Sequence, residues 1–430
     1  MQLEILDLQT RSSGLERDLA EVAAYNLPII NNADKKALAT VGRKPALTLL
    51  DLDENEVTAL VQEFGQPAFR AKQIWGWLYQ KFAHSYDEMT NLPSTLTQKL
   101  AERAPLAPLE VIVEKVAYDG QTRKALFRLA DGAEIESVLM LYADRATVCV
   151  STQAGCAMAC TFCATGQAGL TRNLQVGEIV QQVVHFERFL SRTNDSKFTL
   201  GHKRVTNLVF MGMGEPLANY VNLWKAIRRI HDPNGLNLSA RKLTVSTVGL
   251  APMIKRFGQE ELPVNLAVSL HAPNDSLRSE MMPINDRFPL TTLMAACREY
   301  LAATNRRLSF EYTLVQGQND SPTSARELGR LLQGMLCHVN LIPMNPVPGS
   351  SQRPSTNAHV VAFQAELNKF GIPNSVRIEK GRDIQAACGQ LKVEQEATKS
   401  KLLTQSQRNK QAPDETDRAR VQALSNVGEA

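Results

Sequence analysis

Residues 156–163 read Cys-Ala-Met-Ala-Cys-Thr-Phe-Cys, a C-x3-C-x2-C run with thiols at Cys156, Cys160 and Cys163. Three thiols within so short a stretch can converge only if the backbone wraps around something small. Thiolates bind soft metals, and clustered cysteines point first to metal or iron–sulfur ligation. A common 4Fe–4S cluster takes four Cys, and a structural zinc takes four Cys or His ligands. Here the local set stops at three, and the next Cys downstream is Cys297. A cluster held by three thiolates keeps one iron open to another molecule. Two blander readings compete: three small buried residues in a core loop, or a zinc site completed by a distant ligand.

On both sides of this run the chain alternates strand, loop and helix. Candidate strands are 146–151, 205–211, 242–247, 263–269, 308–315, 338–343 and 374–379, with helices at 176–190, 219–231, 250–258, 290–304, 322–334 and 357–370. Such alternation predicts an α/β fold whose parallel strands form an open sheet or a barrel. In these folds ligands sit at the carboxyl ends of strands, and the motifs obey that rule. Cys156–Cys163 follows the first strand and Gly212-Met213-Gly214-Glu215-Pro216 the second. Ser246-Thr247 ends the third, Ser269-Leu270-His271 the fourth and Pro343-Met344-Asn345-Pro346 the sixth. Gly212 and Gly214 let the backbone approach a ligand closely, and Glu215 can accept from an amine or a ribose. His271 taken alone is equally a hydrogen-bonded structural residue. After the seventh strand, a glycine-bearing loop carries Cys388 among small residues.

Upstream, residues 109–145 read as an antiparallel β-ribbon. Asp119-Gly120 and Asp131-Gly132 supply turn signals between strands 110–117, 124–129 and 135–141. Glu136 lies on the last of these; if it faces a cleft, burial suits it to general base work. Residues 46–108 predict a small helical accessory domain, with Asp53 and Glu56 as a capping box. There Arg70, Lys72 and Lys81 interleave with Trp75, Trp77 and Tyr79. That pattern serves RNA recognition, or else aromatic core beneath a solvated cationic face. Residues 1–45 read as a mobile extension, 191–204 as a surface insertion and 393–430 as a polar, disordered or partly helical tail. The core domain spans 146–392.

The whole chain of 430 residues is 43% hydrophobic and carries a net charge of +4, compatible with an RNA partner without arguing for one. Seven Cys, odd in number and clustered, argue against a disulfide framework and for a reducing, cytoplasmic setting. Glu4 and Asp7 break any signal-peptide pattern, and no apolar run is long enough to span a membrane.

Phe162 before the last Cys completes C-x3-C-x-Φ-C, which resembles the signature of radical S-adenosylmethionine enzymes. Further passages resemble one family within them, the RlmN-type dual-specificity RNA methyltransferases. They are Ile135-Glu136-Ser137-Val138, 145–156, 211–217, 269–275, 340–346 and 383–391, within a likeness covering about residues 50 to 392. The resemblance implies a partial (βα)6-type barrel, one 4Fe–4S cluster on Cys156, Cys160 and Cys163, and two S-adenosylmethionine molecules per turnover. Cofactor contacts carry over to Gly214, Glu215, Ser246, Ser269, Leu270, His271 and Asn345. The implied reaction methylates carbon 2 of adenosine in 23S ribosomal RNA and of the adenosine 3′ of the anticodon in tRNA. By resemblance, Cys388 becomes S-methylcysteine and then bonds to the adenine. Glu136 takes the carbon-2 proton, and Cys149 resolves the adduct through a transient disulfide with Cys388. A monomer and an electron donor of the flavodoxin or ferredoxin type are expected. The rivals are a Cfr-type enzyme methylating carbon 8, an electron-transfer iron–sulfur protein, and a plain RNA-binding protein built on the 46–108 helices. Cys297 and Cys337 match no role and are expected in the core.

Overall fold

Gly120 and Gly132 both adopt positive φ, +69° and +87°, which glycine adopts without strain. The chain folds back at each. The result is an antiparallel set, β1 (Glu110–Val116), β2 (Thr122–Arg128) and β3 (Glu134–Leu141). The computed structural model describes residues 47–106, 109–194, 199–347, 350–377, 380–387 and 389–391. The expected extension, the tail, Cys388 and residues 195–198 of the expected insertion therefore lie outside the described residues.

The ribbon does not end at β3. β4 (Ala146–Cys149) pairs antiparallel with β3, and from there the sheet turns parallel. β7 (Asn207–Phe210), β8 (Leu243–Thr247), β9 (Asn265–Ser269), β10 (Leu308–Leu314), β11 (Cys337–Pro343) and β12 (Asn374–Val376) follow in order. Among the described residues this makes one sheet of ten strands running β1-β2-β3-β4-β7-β8-β9-β10-β11-β12. Helices α5 (Val176–Arg192), α6 (Tyr220–His231), α7 (Ala251–Phe257), α9 (Leu290–Thr304), α10 (Pro322–Leu332) and α11 (Asn357–Lys369) fill the crossovers. Buried strand residues such as Val148, Leu208, Val245, Val268, Phe310 and Val339 form the core, as both faces of a covered parallel sheet require. Cys297 and Cys337 are buried there as expected.

The ladder runs open from β1 to β12, yet side chains bridge its two ends. Past β12, Lys380 donates to the Leu141 carbonyl at 2.8 Å, and Lys124 of β2 donates to the Gln385 carbonyl at 3.1 Å. The sheet is thus curved enough for the segment after its last strand to return to β2 and β3, the geometry of a partial barrel.

Two features depart from the sequence expectation. Cys156 does not simply follow the first strand: β5 (Gln153–Cys156) pairs antiparallel with β6 (Gly169–Asn173), and the cysteine run with its short helix α4 (Ala164–Gln167) is the loop of that hairpin. Gly155 makes the pairing possible, since a Cβ there would stand 2.0 Å from the Gly169 carbonyl oxygen. The second addition is α8 (Asp275–Met281), capped by the Asn274 side chain accepting from the Leu277 N–H. Both were too short to show a period in sequence.

Ahead of the sheet, α1 (Glu54–Glu63), α2 (Phe69–Tyr79) and α3 (Ser94–Arg103) form the helical region. The Asp53–Glu56 capping box is present, with bonds of 2.8 and 2.7 Å. On α2 the buried face is Ala71, Ile74, Trp75, Leu78 and Tyr79, and Trp77 lies off it. Trp75 and Tyr79 meet Arg229 of α6. The guanidinium lies 4.6 Å from the indole centre and donates to the Tyr79 hydroxyl at 3.1 Å. A desolvated cation–π pair of this kind contributes ~2 kcal/mol. It helps fix the helical region to the barrel within one compact unit ending at Lys392. No helix among the described residues is long and apolar enough to cross a membrane.

Candidate active site

The carboxyl ends of the parallel strands and the cysteine loop meet around one cavity. Phe162, Cys163, Gly214, Glu215, Ser246, Ser269, His271, Asn345 and Gly389 all line it. Six of the seven residues expected to contact the cofactor are therefore brought together. Leu270 is the exception. It is wholly buried, and its N–H donates to the Glu311 carbonyl at 3.0 Å, so it serves the wall from behind.

The GxGEP turn after β7 shows why its glycines are required. A Cβ on Gly212 would lie 2.6 Å from the Val150 carbonyl oxygen, and one on Gly214 would lie 2.5 Å from the Gln153 Cβ. The close approach on one side is to the β4–β5 segment, while both glycines also line the cavity. That packing aims Glu215 inward. Its carboxylate accepts from the Leu217 N–H at 3.0 Å and the Val248 N–H at 2.8 Å. Burial pushes its carboxyl up to about 7, opposed by those two amides and Thr247.

His271 unites its two readings. It stands at φ +56°, and its Nδ1 accepts from the Thr313 N–H at 2.9 Å. The ring proton is thereby assigned to Nε2. Burial, with some repulsion from Arg278, pushes the imidazole down to about 3, so the ring is neutral at working pH. The Phe162 ring packs edge-on against it, with centroids 4.6 Å apart.

Cys156 and Cys160 are buried, while Cys163 is half-exposed and lines the cavity. Burial pushes the Cys156 thiol up to about 12 and the Cys160 thiol well above its usual value, each raised further by charge on the other cysteines. No three donors among the described residues stand close enough to hold a single metal ion. A cluster of several irons takes its thiolates from more widely spaced points. Three thiols in one short run, one of them lining the cavity, fit that donor chemistry, and these are the residues that would hold it. The loop is also tied to the segment that follows β12. The Ala164 N–H donates to the Gly389 carbonyl at 2.8 Å, and Gln390 donates to the Pro346 carbonyl at 2.9 Å.

Glu136 and Cys149 are not among the residues that line this cavity. Glu136 is buried on β3, and Cys149 is buried at the end of β4. Ser137 donates to the Cys149 carbonyl at 2.6 Å, and Ser151 to the Glu136 carbonyl at 2.6 Å, which locks the two strands in register. Sequence reasoning missed the partner of Glu136. Lys124 lies 2.8 Å away, and the two side chains are only 7% and 6% exposed. It also missed Glu311, which lines the cavity, accepts from Asn340 at 2.8 Å, and whose carboxyl burial pushes up.

The cationic helix divides. Lys72 and Lys81 are exposed, Lys81 sits 3.7 Å over the Trp77 ring, and Arg70 lies 4.9 Å from the ring of Phe69, which is 52% exposed. Trp75 and Tyr79 are core. The aromatic-core reading holds for Trp75 and Tyr79, and the exposed cations are compatible with either reading.

A parallel sheet with a three-cysteine loop over its carboxyl ends defines a radical S-adenosylmethionine protein, and the profile of the Radical SAM superfamily matches residues 150–326. The profile described as ribosomal RNA large subunit methyltransferase N-terminal domain matches residues 47–106. The chain is 54% identical to the probable dual-specificity RNA methyltransferase RlmN of Chloroflexus aurantiacus, over 80% of this chain and 92% of that protein. It is 50% identical to the probable enzyme of the same name from Roseiflexus castenholzii, over 83% and 98%. The crystal structure of a radical SAM methyltransferase from Sphaerobacter thermophilus superposes with a TM-score of 0.77 at 49% identity, covering 80% of this chain and 99% of that one. The chain belongs to the RlmN family.

Proposed function

We propose that this protein methylates carbon 2 of adenosine, in 23S ribosomal RNA and at the adenosine 3′ of the anticodon in tRNA. The observation that carries the reading is the single cavity in which Cys163, the strand-end residues Glu215, Ser246, Ser269, His271 and Asn345, and Gly389 converge. Gly389 is the chain neighbour of the proposed methyl carrier, Cys388.

When bound, a 4Fe–4S cluster and S-adenosylmethionine supply a methyl group and a carbon-centred radical. The chain's own residues do the rest. Cys388 carries the methyl carbon to the adenine, and that carbon, having lost one hydrogen atom and still attached to the Cys388 sulfur, bonds to carbon 2, while the odd electron of the adduct would pass to the cluster. Glu136 accepts the carbon-2 proton, and the Lys124 ammonium beside it favours the carboxylate form able to do so. The Cys149 thiolate then attacks the Cys388 sulfur, the carbon–sulfur bond breaks, the departing methylene carbon takes up a proton to become the methyl group, and a disulfide remains that an external reductant must reopen. Arg70, Lys72 and Lys81 hold RNA phosphates from the helical region, beside the accessible Trp77. A flavodoxin or ferredoxin-type donor supplies electrons, and the enzyme works as a cytoplasmic monomer.

The order of the two cysteines is open to direct trial. Cys149→Ala loads the methyl, attacks RNA and stops, leaving protein covalently bound to RNA. Cys388→Ala never forms that adduct, and the double variant behaves like Cys388→Ala. Denaturing gels of each variant purified from cells, with and without ribonuclease, read the outcome. A ribonuclease-sensitive shift in Cys388→Ala with none in Cys149→Ala would reverse the roles.

A further inference from the structure

Behind the cysteine loop stands a buried cation whose hydrogen-bond acceptors are all neutral. Arg278, in the middle of α8, is wholly buried. Its Nε donates to the Leu270 carbonyl at 3.2 Å and Nη1 to the Asn285 side-chain oxygen at 2.9 Å. Nη2 donates to the carbonyls of Val248 at 2.7 Å and Ser269 at 3.3 Å. Every one of these acceptors is neutral, and among the described residues no carboxylate forms an ion pair with it. Hydrogen bonds satisfy the guanidinium's donors without balancing its charge, which is offset from a distance by Cys160 first, then Asp275 and Cys297.

The same helix reaches the cysteine loop. The Met281 carbonyl, three residues beyond Arg278, accepts the Thr161 N–H at 3.0 Å, one residue past Cys160. Burial pushes the guanidinium down to about 10, which leaves it protonated at neutral pH, and Cys160 is the first of the groups that oppose that fall. The neighbourhood thus pairs one buried cation with three thiols that become anionic only on binding metal.

We propose that Arg278 is a positioning residue for the cluster, the counter-charge to the thiolate of Cys160 in the cysteine loop. Its hydrogen bonds tie the ends of β8 and β9, which carry Ser246 and Ser269, to the helix that supports the loop. The proposal rests on the reading of the three cysteines as cluster ligands. Two consequences follow from a fixed positive charge near the cluster. It favours the reduced, more negative form and so raises the reduction potential, and it helps retain the thiolate ligands. Arginine suits the place because one planar fork serves several carbonyls while staying charged.

The test compares the full-length wild type, Arg278→Gln and Arg278→Lys after anaerobic reconstitution. Iron content, the rate of iron loss to a ferrous chelator and the midpoint potential in a dye-mediated titration are read in each. Arg278→Gln is expected to lose iron about 10-fold faster and to show a more negative potential. Arg278→Lys is expected to hold a near-wild-type potential at pH 7. Should Arg278→Gln not fold, Arg278→Lys decides alone. A buried lysine deprotonates as pH rises while arginine does not, so its potential must fall relative to wild type at higher pH. Equal potentials in the Gln variant and wild type, or equal pH dependence in the Lys variant and wild type, overturn the proposal and leave Arg278 a structural clamp. A wild type that takes up no iron overturns the cluster reading itself.

Discussion

Replacing Lys124 by Met isolates the buried ion pair beside the site. The Lys124 Nζ lies 2.8 Å from a Glu136 oxygen, with side chains 7% and 6% exposed, so little water screens the pair. Removing one member of such a pair strands the other charge in the interior, which costs about 3–5 kcal/mol. The bond from Lys124 to the Gln385 carbonyl is lost as well, which adds about 1 kcal/mol. Lys124→Met is thus predicted to destabilise the protein by roughly 4–6 kcal/mol, the sum of those two ranges. Glu136→Gln should cost less, because the amide oxygen still accepts from the ammonium. The double variant removes both charges and should recover about 2 kcal/mol or more relative to the sum of the singles. Urea unfolding followed by tryptophan fluorescence supplies the four corners of the cycle. If Lys124→Met stays within about 1 kcal/mol of wild type and the two changes simply add, the pair is not a buried, coupled one, and the account of an ionised Glu136 loses its support.

Two further outcomes follow from the same geometry. Arg70→Ala, Lys72→Ala and Lys81→Ala combined should weaken RNA binding and flatten the dependence of log affinity on log salt by about 2–3, since each phosphate contact contributes ~0.7–0.9; an unchanged slope would make these cations a solvated face only. His271 is held down to about 3 from an ordinary 6.5, so the unfolded chain binds the extra proton, and stability present above pH 6.5 is lost as pH falls towards 3. Wild type should lose on the order of 1.4 kcal/mol per pH unit through that window, and His271→Gln should lose less; identical pH slopes in urea titrations would show that His271 is not the group responsible.

Much of the barrel was legible because its signals are local. Asp-Gly turns, strand-length apolar runs and helical periods put the parallel strands and their crossovers close to where they stand, and with them the strand-end motifs. The β5–β6 hairpin was hidden because its strands are short and one begins at a glycine, so neither period nor β-branched residues mark it. The Lys124–Glu136 pair was recoverable in principle. The Asp131-Gly132 turn sets Leu126 opposite Glu136, which puts Lys124 on the diagonal of the neighbouring strand. What no count along the chain could give was burial, which turns that diagonal from a surface pair into an interior one. Arg278 was opaque for a related reason. It occupies an ordinary helix position in a charged segment, and only the tertiary fold surrounds it with carbonyls from two strand ends. The packing of Gly212 and Gly214 against the β4–β5 segment was not legible, because a glycine requirement reveals crowding without saying what crowds it.

The most direct measurement is mass analysis of the nucleosides from RNA treated with the reconstituted enzyme, with S-adenosylmethionine and a reductant. Chromatographic standards separate 2-methyladenosine from 8-methyladenosine. The account predicts 2-methyladenosine from both 23S ribosomal RNA and tRNA, and none when Cys388 or Glu136 is replaced. 8-Methyladenosine, or an unmodified adenosine pool from a protein that still cleaves S-adenosylmethionine, would contradict it.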